Sequence, residues 1–203
     1  NRREARAMLG LPHNRRIVLF GAWAGDRRKG LHLLQEALQK LSRAGWGSRM
    51  ALAVFGPPAA NTPDSSDFQT FNLGRFHDAL SLSVVYSAAD VMVAPSIQEG
   101  FGQTASESLA CGTPAVVFGG TGLSDIVDHR QNGYVARPFE VDDLAQGIAW
   151  VLQDDERRGQ LSRAARQKVE REYSLAVQAR RYAALFDEVI ANHRRAVSQK
   201  ERL

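Results

Sequence analysis

The chain has 203 residues, 44% of them hydrophobic and 24% charged, which is the composition of an ordinary globular domain and excludes disordered or collagen-like chains. No apolar run approaches the roughly 20 residues that a membrane-spanning helix needs. A single cysteine, Cys111, cannot form an intramolecular disulfide, so we expect a reducing, cytoplasmic compartment. Because the chain begins at Asn1 and shows no signal-peptide pattern, we expect it to be a piece of a longer polypeptide.

The net charge of +4 is unevenly distributed along the chain. Residues 91–153 carry two Lys or Arg against seven Asp or Glu, whereas the parts before and after them are basic. The dense arginine pairs alternate with acids rather than with aromatic residues, which favours solvated helix faces over a nucleic-acid surface. These pairs are Arg2-Arg3, Arg157-Arg158, Arg180-Arg181 and Arg194-Arg195. We therefore expect no nucleic-acid partner.

Strand-like and helix-like patterns alternate along the chain, which predicts an α/β fold with a doubly wound, Rossmann-like parallel sheet and helices on both faces. The predicted strands are residues 17–23, 50–55, 70–73, 91–94, 115–118 and 133–136. The predicted helices are residues 31–41, 78–89 with Asp78 as N-cap, 102–111, a short helix after residue 122, and residues 141–152, 156–173 and 174–193. Residues 59–67 are predicted to form a surface loop. We expect one domain over residues 1–203, with residues 154–203 as a helical extension packed on it.

The loop that follows the fourth predicted strand carries the strongest ligand-binding pattern. Ligands of open parallel sheets bind at the carboxyl ends of the strands, which selects residues 21–30, 95–102 and 119–122. In the middle loop, Gly100 and Gly102 allow a ligand to approach the backbone closely. The free N–H groups of Gly102, Gln103 and Thr104 at the following helix start would bind an anion such as phosphate.

Two carboxylates flank this anion site, Glu99 in the loop and Glu107 just over one turn into the helix. Acids beside a bound phosphate are unfavourable unless each has hydroxyl groups to bind, which indicates a phosphate ligand with polyhydroxylated rings, such as a nucleotide sugar. The alternative is that Glu99 is a solvated loop acid and Glu107 an ordinary exposed helix residue. Spacing alone leaves both open.

The segment EGFGQTASE at residues 99–107, followed by SLACGTPA, resembles the paired-glutamate signature of the family 4 (group 1) retaining glycosyltransferases. The resemblance continues through residues 20–31, 73–76 and 119–134. It implies the C-terminal, donor-binding half of a two-domain enzyme with the B-type glycosyltransferase fold, of hexosyltransferase type and active in polysaccharide biosynthesis. The N-terminal acceptor half would lie outside this chain, and so would any peripheral membrane contact.

The resemblance also implies a role for each matching residue. Glu107 would hold the ribose hydroxyls, Glu99 the hydroxyls of the transferred sugar, and Lys29 would neutralise the diphosphate. Glu99 and Lys29 are thus the expected catalytic residues. The expected further contacts with sugar and diphosphate come from Phe101, Gly102, Gln103 and Thr104.

One position departs from the family pattern. An arginine usually follows the glycine that ends the first strand, whereas this chain has Ala22 and Trp23 after Gly21. The candidates to replace that arginine are Arg27, Arg28 and Arg75.

No metal or cofactor motif accompanies these residues. The five histidines are scattered, and no Asp-x-Asp, P-loop or dinucleotide fingerprint is present. We expect no metal and no cofactor, with a nucleoside-diphosphate sugar as the donor substrate. Two functions remain open: a donor domain for metal-independent retaining transfer that is inactive on its own, or a catalytically inactive nucleotide- or sugar-binding module.

Overall fold

The computed structural model describes residues 1–21, 25–57 and 68–200 of the chain. In these residues six strands form one sheet in the order β3-β2-β1-β4-β5-β6, and every neighbouring pair is parallel. The strands are β1 (Arg16–Gly21), β2 (Met50–Phe55), β3 (Gln69–Gly74), β4 (Val91–Ala94), β5 (Ala115–Phe118) and β6 (Gly133–Ala136). The helices are α1 (Arg2–Met8), α2 (Leu31–Leu41), α3 (Ala79–Ala88), α4 (Gln103–Ala110), α5 (Leu123–Ile126), α6 (Val141–Leu152), α7 (Asp155–Glu172) and α8 (Leu175–Lys200).

The inner strands are continuous apolar runs because helices cover both faces of the sheet. On β1, Val18 and Phe20 belong to one core cluster, whereas Ile17 and Leu19 belong to the other. The first cluster includes α2 and α6, and the second includes α3, α4 and α7. The predicted doubly wound α/β fold is confirmed.

The predicted elements agree with the structure to within a few residues, apart from the end of the last helix. Four strands coincide with their predicted bounds, and Asp78 caps α3 by accepting a hydrogen bond from the Ser81 N–H at 2.8 Å. The last helix continues to Lys200 instead of residue 193. The short helix α1 and a π-helical turn over Ser42–Trp46 were not predicted. Residues 22 and 23 of the first predicted strand and the predicted loop 59–67 lie outside the described residues.

The two helices of the C-terminal extension differ in how they contact the domain. Helix α7 packs against α4 and contributes Ala165 and Val169 to the second core cluster. Helix α8 is exposed throughout residues 179–193. Its exposed apolar side chains share one face, at positions Tyr182, Leu185, Phe186, Val189 and Ile190. In the part of the chain that is described, no helix combines the length and the hydropathy needed to cross a membrane.

A buried ion cluster joins α1, α7 and the amino ends of β1 and β4. Asp90 is 1% exposed and accepts hydrogen bonds from the Arg6 guanidinium at 2.5 Å and the Ile17 N–H at 2.7 Å. Arg158 of α7 lies 3.4 Å from the other carboxylate oxygen. Arg158 is buried, so the expected solvated face is wrong for this residue. A buried charge is costly without a partner, and here the partners come from helices far apart in the sequence.

Replacing Asp90 by alanine is expected to lower the free energy of unfolding by about 3–5 kcal/mol, because Arg6 and Arg158 lose their buried counter-charge. Urea denaturation followed by circular dichroism measures the change. Glu170→Ala is the matched control, since it breaks an exposed ion pair with Arg166 (2.8 Å) of the kind that contributes little. An unchanged midpoint in Asp90→Ala would show that the cluster is not stabilising.

Candidate functional site

The candidate residues lie where the strand order of the sheet reverses. The chain proceeds from β1 to β3 on one side, then returns to place β4 on the other side of β1. In open parallel sheets the crevice outside the carboxyl ends of the strands at such a reversal binds ligands. Here that crevice lies between residues 25–30, which follow β1, and residues 95–102 after β4.

These two loops are held together by backbone contacts. The Ile97 N–H donates a hydrogen bond to the Arg28 carbonyl at 2.7 Å. Gly30 has a φ of +75°, and a Cβ at this position would overlap the carbonyl oxygen of Pro95. Only glycine combines this conformation with this proximity.

The two residues expected to be catalytic form an ion pair across these loops. Lys29 ends a 3-10 turn over Arg27–Lys29, directly before α2, and its Nζ lies 2.6 Å from Glu99 Oε2. The Ser96 hydroxyl donates to the same oxygen at 3.3 Å. The Lys29 and Glu99 side chains are 31% and 17% exposed, so the pair remains open to an incoming ligand. Residues 70 positions apart in the sequence thus meet at the predicted edge of the sheet.

Helix α4 begins at this ion pair with a free N-terminus. Its N-cap Gly102 has a φ of +89° and provides no side-chain cap. The first amides bonded to the Gly102 carbonyl are those of Ala105 and Ser106, so the N–H groups of Gln103 and Thr104 point outward from the helix start. The loop after β5 supports this segment, since the Gly122 N–H donates to the Glu99 carbonyl at 3.0 Å.

A cleft of about 470 Å³ opens beside the start of α4, a volume within the usual range of small-molecule sites. Its lining includes the apolar or aromatic side chains of Phe55, Phe76, Leu82 and Tyr86. It also includes the polar residues Arg75, His77, Gln103, Thr104 and Glu107. The cleft therefore combines apolar surface with charged and hydrogen-bonding groups.

Glu107 is oriented within this cleft by two hydrogen bonds. Its Oε2 accepts from the Tyr86 hydroxyl at 2.7 Å, and its Oε1 accepts from the Gln103 side-chain amide at 2.9 Å. Burial of the Tyr86 ring raises the pKa of its phenol, so the hydroxyl is a hydrogen-bond donor across the physiological pH range.

The three arginines proposed to replace the family arginine are placed differently. Arg75 lines the cleft, and among the described residues it has no hydrogen-bond partner. The Arg28 guanidinium is held by Asp26 at 2.8 Å, and this hydrogen bonding lowers the pKa of the Asp26 carboxyl. Arg27 is exposed. Of the three, only Arg75 contributes to the cleft, while Ala22 and Trp23 lie outside the described residues.

The last predicted site residue is Phe101, and the cleft also contains residues that the sequence did not predict. Phe101 is half exposed, and its ring packs edge-on against Tyr173 with 5.7 Å between centroids. Tyr86, Phe76 and His77 were not predicted to belong to the site. Phe76 and His77 directly follow Arg75, but nothing in the sequence distinguishes Tyr86 from an ordinary core residue of α3. Within the described ranges, no three His, Cys, Asp or Glu side chains converge as a metal site would require.

The fold defines a Rossmann-like domain with its candidate ligand site near the strand-order reversal. Residues 1–168 match the model of the family described as glycosyl transferases group 1. The chain belongs to this family.

Relatives and solved structures agree with that assignment. The chain is 35% identical over 184 residues to the D-inositol 3-phosphate glycosyltransferase of Saccharomonospora viridis, covering 84% of this chain and 42% of the relative. The sucrose-phosphate synthase structure from Thermosynechococcus elongatus superposes with a TM-score of 0.78 at 30% identity, covering 94% of this chain and 49% of that one. Anabaena HepE, solved with UDP and glucose, superposes with a TM-score of 0.74 at 20% identity, covering 91% and 51%. The expected Rossmann-like fold of the B-type glycosyltransferases is confirmed, and the chain spans about half the length of the curated relatives it matches.

Gly30→Ala is expected to separate the two loops and lower the free energy of unfolding, since it adds an overlap with Pro95 to a strained backbone. Gly45→Ala is the control, because Gly45 has a φ of +88° but open space around its Cβ position. Denaturant midpoints are compared, with about 1–2 kcal/mol expected for the strain alone and a larger loss at Gly30. Equal losses would mean that the close approach to Pro95 is not constraining.

Proposed function

We propose that this chain is the donor-binding half of a retaining glycosyltransferase that uses a nucleoside-diphosphate sugar without a metal ion. The observation that supports this proposal most directly is the arrangement of polar groups around the start of α4. Free backbone N–H groups there lie between the Lys29–Glu99 ion pair on one side and the Glu107 cleft on the other. This order matches the order of groups in a nucleotide sugar: sugar, diphosphate, ribose and base.

Each part of such a donor has a matching group in the site. The base would lie against the apolar side chains of the cleft, and the ribose diol would donate to the Glu107 carboxylate. The diphosphate would accept hydrogen bonds from the N–H groups of Gln103 and Thr104, and the sugar hydroxyls would bind Glu99. The UDP and glucose bound by HepE, a protein of the same fold, support this class of ligand.

Charge balance supports diphosphate binding by cations of the chain itself. A diphosphate brings at least two negative charges to a site that already contains Glu99 and Glu107. Lys29 and Arg75 are placed to offset them, together with the positive end of α4. Because the Lys29–Glu99 pair is partly exposed, its Nζ can turn to a phosphate at small cost while Glu99 exchanges it for sugar hydroxyls.

The remaining parts of the proposal concern the longer polypeptide. The resemblance of residues 99–107 to the retaining signature supports transfer with retention, which NMR of the anomeric proton of the product would test. The share of each relative that is covered supports an acceptor half outside this chain, hence no sugar transfer by the 203 residues alone. The lone Cys111 favours a cytoplasmic location. The resemblance alone supports a role of the longer polypeptide in polysaccharide biosynthesis.

Lys29→Ala is expected to weaken binding of nucleoside diphosphates much more than binding of the corresponding nucleosides. Calorimetry with uridine, guanosine and adenosine and their mono- and diphosphates measures the difference. Wild-type binding is expected in the micromolar-to-millimolar range, about −8 to −4 kcal/mol, and unchanged by EDTA. Arg27→Ala is the control, since Arg27 is exposed and lies two positions away in the same turn. Equal losses for nucleoside and diphosphate, or binding abolished by EDTA, would contradict the role of Lys29.

Glu107→Gln and Glu99→Gln are expected to affect different measurements. Glu107→Gln should reduce nucleotide affinity by about 1.5–3 kcal/mol, the usual contribution of a hydrogen bond to a charged group. Glu99→Gln should leave nucleoside-diphosphate affinity nearly unchanged and lower turnover by the full-length polypeptide. Unchanged affinity in Glu107→Gln would show that the ribose is bound elsewhere. Absence of turnover in the full-length wild type would favour the inactive binding module.

A further inference from the structure

We propose that Tyr86 is a positioning residue for the nucleotide, whose hydroxyl holds the Glu107 carboxylate in the orientation that receives the ribose diol. This inference rests on the proposed ribose-binding role of Glu107. Tyr86 lies on α3 and Glu107 on α4, 21 positions apart, and their side chains meet at the wall of the cleft at 2.7 Å.

Tyr86 is itself fixed by its burial and by two contacts. The residue is 1% exposed, and its ring packs edge-on against Phe55 at the end of β2, with 5.5 Å between centroids and 85° between planes. Its backbone carbonyl accepts a hydrogen bond from the Thr113 hydroxyl at 2.8 Å. The hydroxyl that reaches Glu107 therefore has little freedom to move.

The other hydrogen bond to Glu107 is of a different kind. Gln103 is exposed, and its amide reaches Glu107 Oε1 from one turn earlier on the same helix. A ribose hydroxyl can replace this amide without leaving a buried group unpaired. Tyr86, in contrast, is buried, so its hydroxyl would lose the hydrogen bond to Glu107 at a greater cost.

Because the Gln103 hydrogen bond can be replaced and the Tyr86 hydrogen bond stays, Glu107 can accept hydrogen bonds from a diol. A carboxylate has about four lone-pair positions, and the Tyr86 hydroxyl occupies one of them on Oε2. Both oxygens therefore retain accepting capacity for two adjacent hydroxyl groups, while the tyrosine prevents the side chain from turning away. Without this hydrogen bond Glu107 would have to be ordered by the ligand, at a cost in affinity.

If the Tyr86 hydroxyl only stabilised the fold, its removal would not affect ribose binding selectively. Another buried tyrosine of this chain offers a matched control. Tyr134 on β6 is also buried, and its hydroxyl donates to the Asp143 carboxylate at 2.8 Å. That pair does not line the cleft. Tyr134→Phe thus removes the same kind of hydrogen bond from the same fold without touching the site.

The experiment compares wild type, Tyr86→Phe and Tyr134→Phe by calorimetry. The ligands are the best-binding ribonucleoside diphosphate of the uridine, guanosine and adenosine series and its 2′,3′-dideoxy counterpart. We expect Tyr86→Phe to lose roughly five- to twentyfold in affinity for the ribonucleotide and to bind the dideoxynucleotide as wild type does. Tyr134→Phe is expected to bind both as wild type does.

A double-mutant cycle with Glu107→Ala provides the second measurement. In the Glu107→Ala background, Tyr86→Phe should cause no further loss of ribonucleotide affinity, because the interaction it removes is already gone. Equal losses of ribo- and dideoxynucleotide in Tyr86→Phe, or no loss at all, would overturn the positioning role alone. A wild type that binds none of the diphosphates would overturn the proposed function and this inference with it.

Discussion

The contact between the loops after β1 and β4 is the constraint on which the candidate site depends. Both loops leave the carboxyl edge of the sheet on adjacent strands, and the Arg28–Ile97 hydrogen bond and the close approach of Gly30 to Pro95 hold their backbones together. This alignment of the two backbones brings the Lys29 side chain within reach of Glu99. Helix α4 starts four residues after Glu99, so its free N–H groups are fixed relative to the same ion pair. Two backbone contacts therefore set the positions of a cation, a carboxylate and a free helix N-terminus together.

The ion pairs at the amino edge of the sheet are buried, whereas those at the carboxyl edge are partly exposed. At the amino edge, Asp90 is buried together with Arg6 and Arg158, which come from helices near opposite ends of the chain, and these ion pairs join the layers. At the carboxyl edge, Lys29 and Glu99 are partly exposed and each can exchange its partner for a ligand group. Buried pairs are costly to break, whereas partly exposed pairs are cheap to rearrange. The pair at the carboxyl edge can thus rearrange without disturbing the charges at the amino edge.

Local patterns were sufficient to predict the sheet, because fully buried strands such as β4 and β5 are short apolar runs and the loops between elements contain glycine. The loop-and-helix position of Glu99, Gln103 and Glu107 could also be predicted, since it follows from the chain order of β4 and α4. Helix α1 could not, because its buried Arg6 is stabilised by Asp90, 84 positions away, and an arginine in a short polar segment resembles a solvated surface. Tyr86 could not be predicted as a site residue, because its helical spacing indicates a core residue. Only the packing of α3 against α4 turns its hydroxyl towards Glu107.

Tyr86 shows how the core and the site share one side chain. Its ring belongs to the second core cluster, with Phe55 at the end of β2, while its hydroxyl is the one polar atom of that ring and reaches a carboxylate in the cleft. A core of this density permits little movement of a buried ring, so the position of the hydroxyl is set by β2, α3 and α4 together. Glu107 alone, half-buried on an eight-residue helix, would lack that precision. The orientation of the Glu107 carboxylate is therefore determined by the apolar packing around the Tyr86 ring, and we expect substitutions in that packing to change nucleotide affinity without touching the nucleotide.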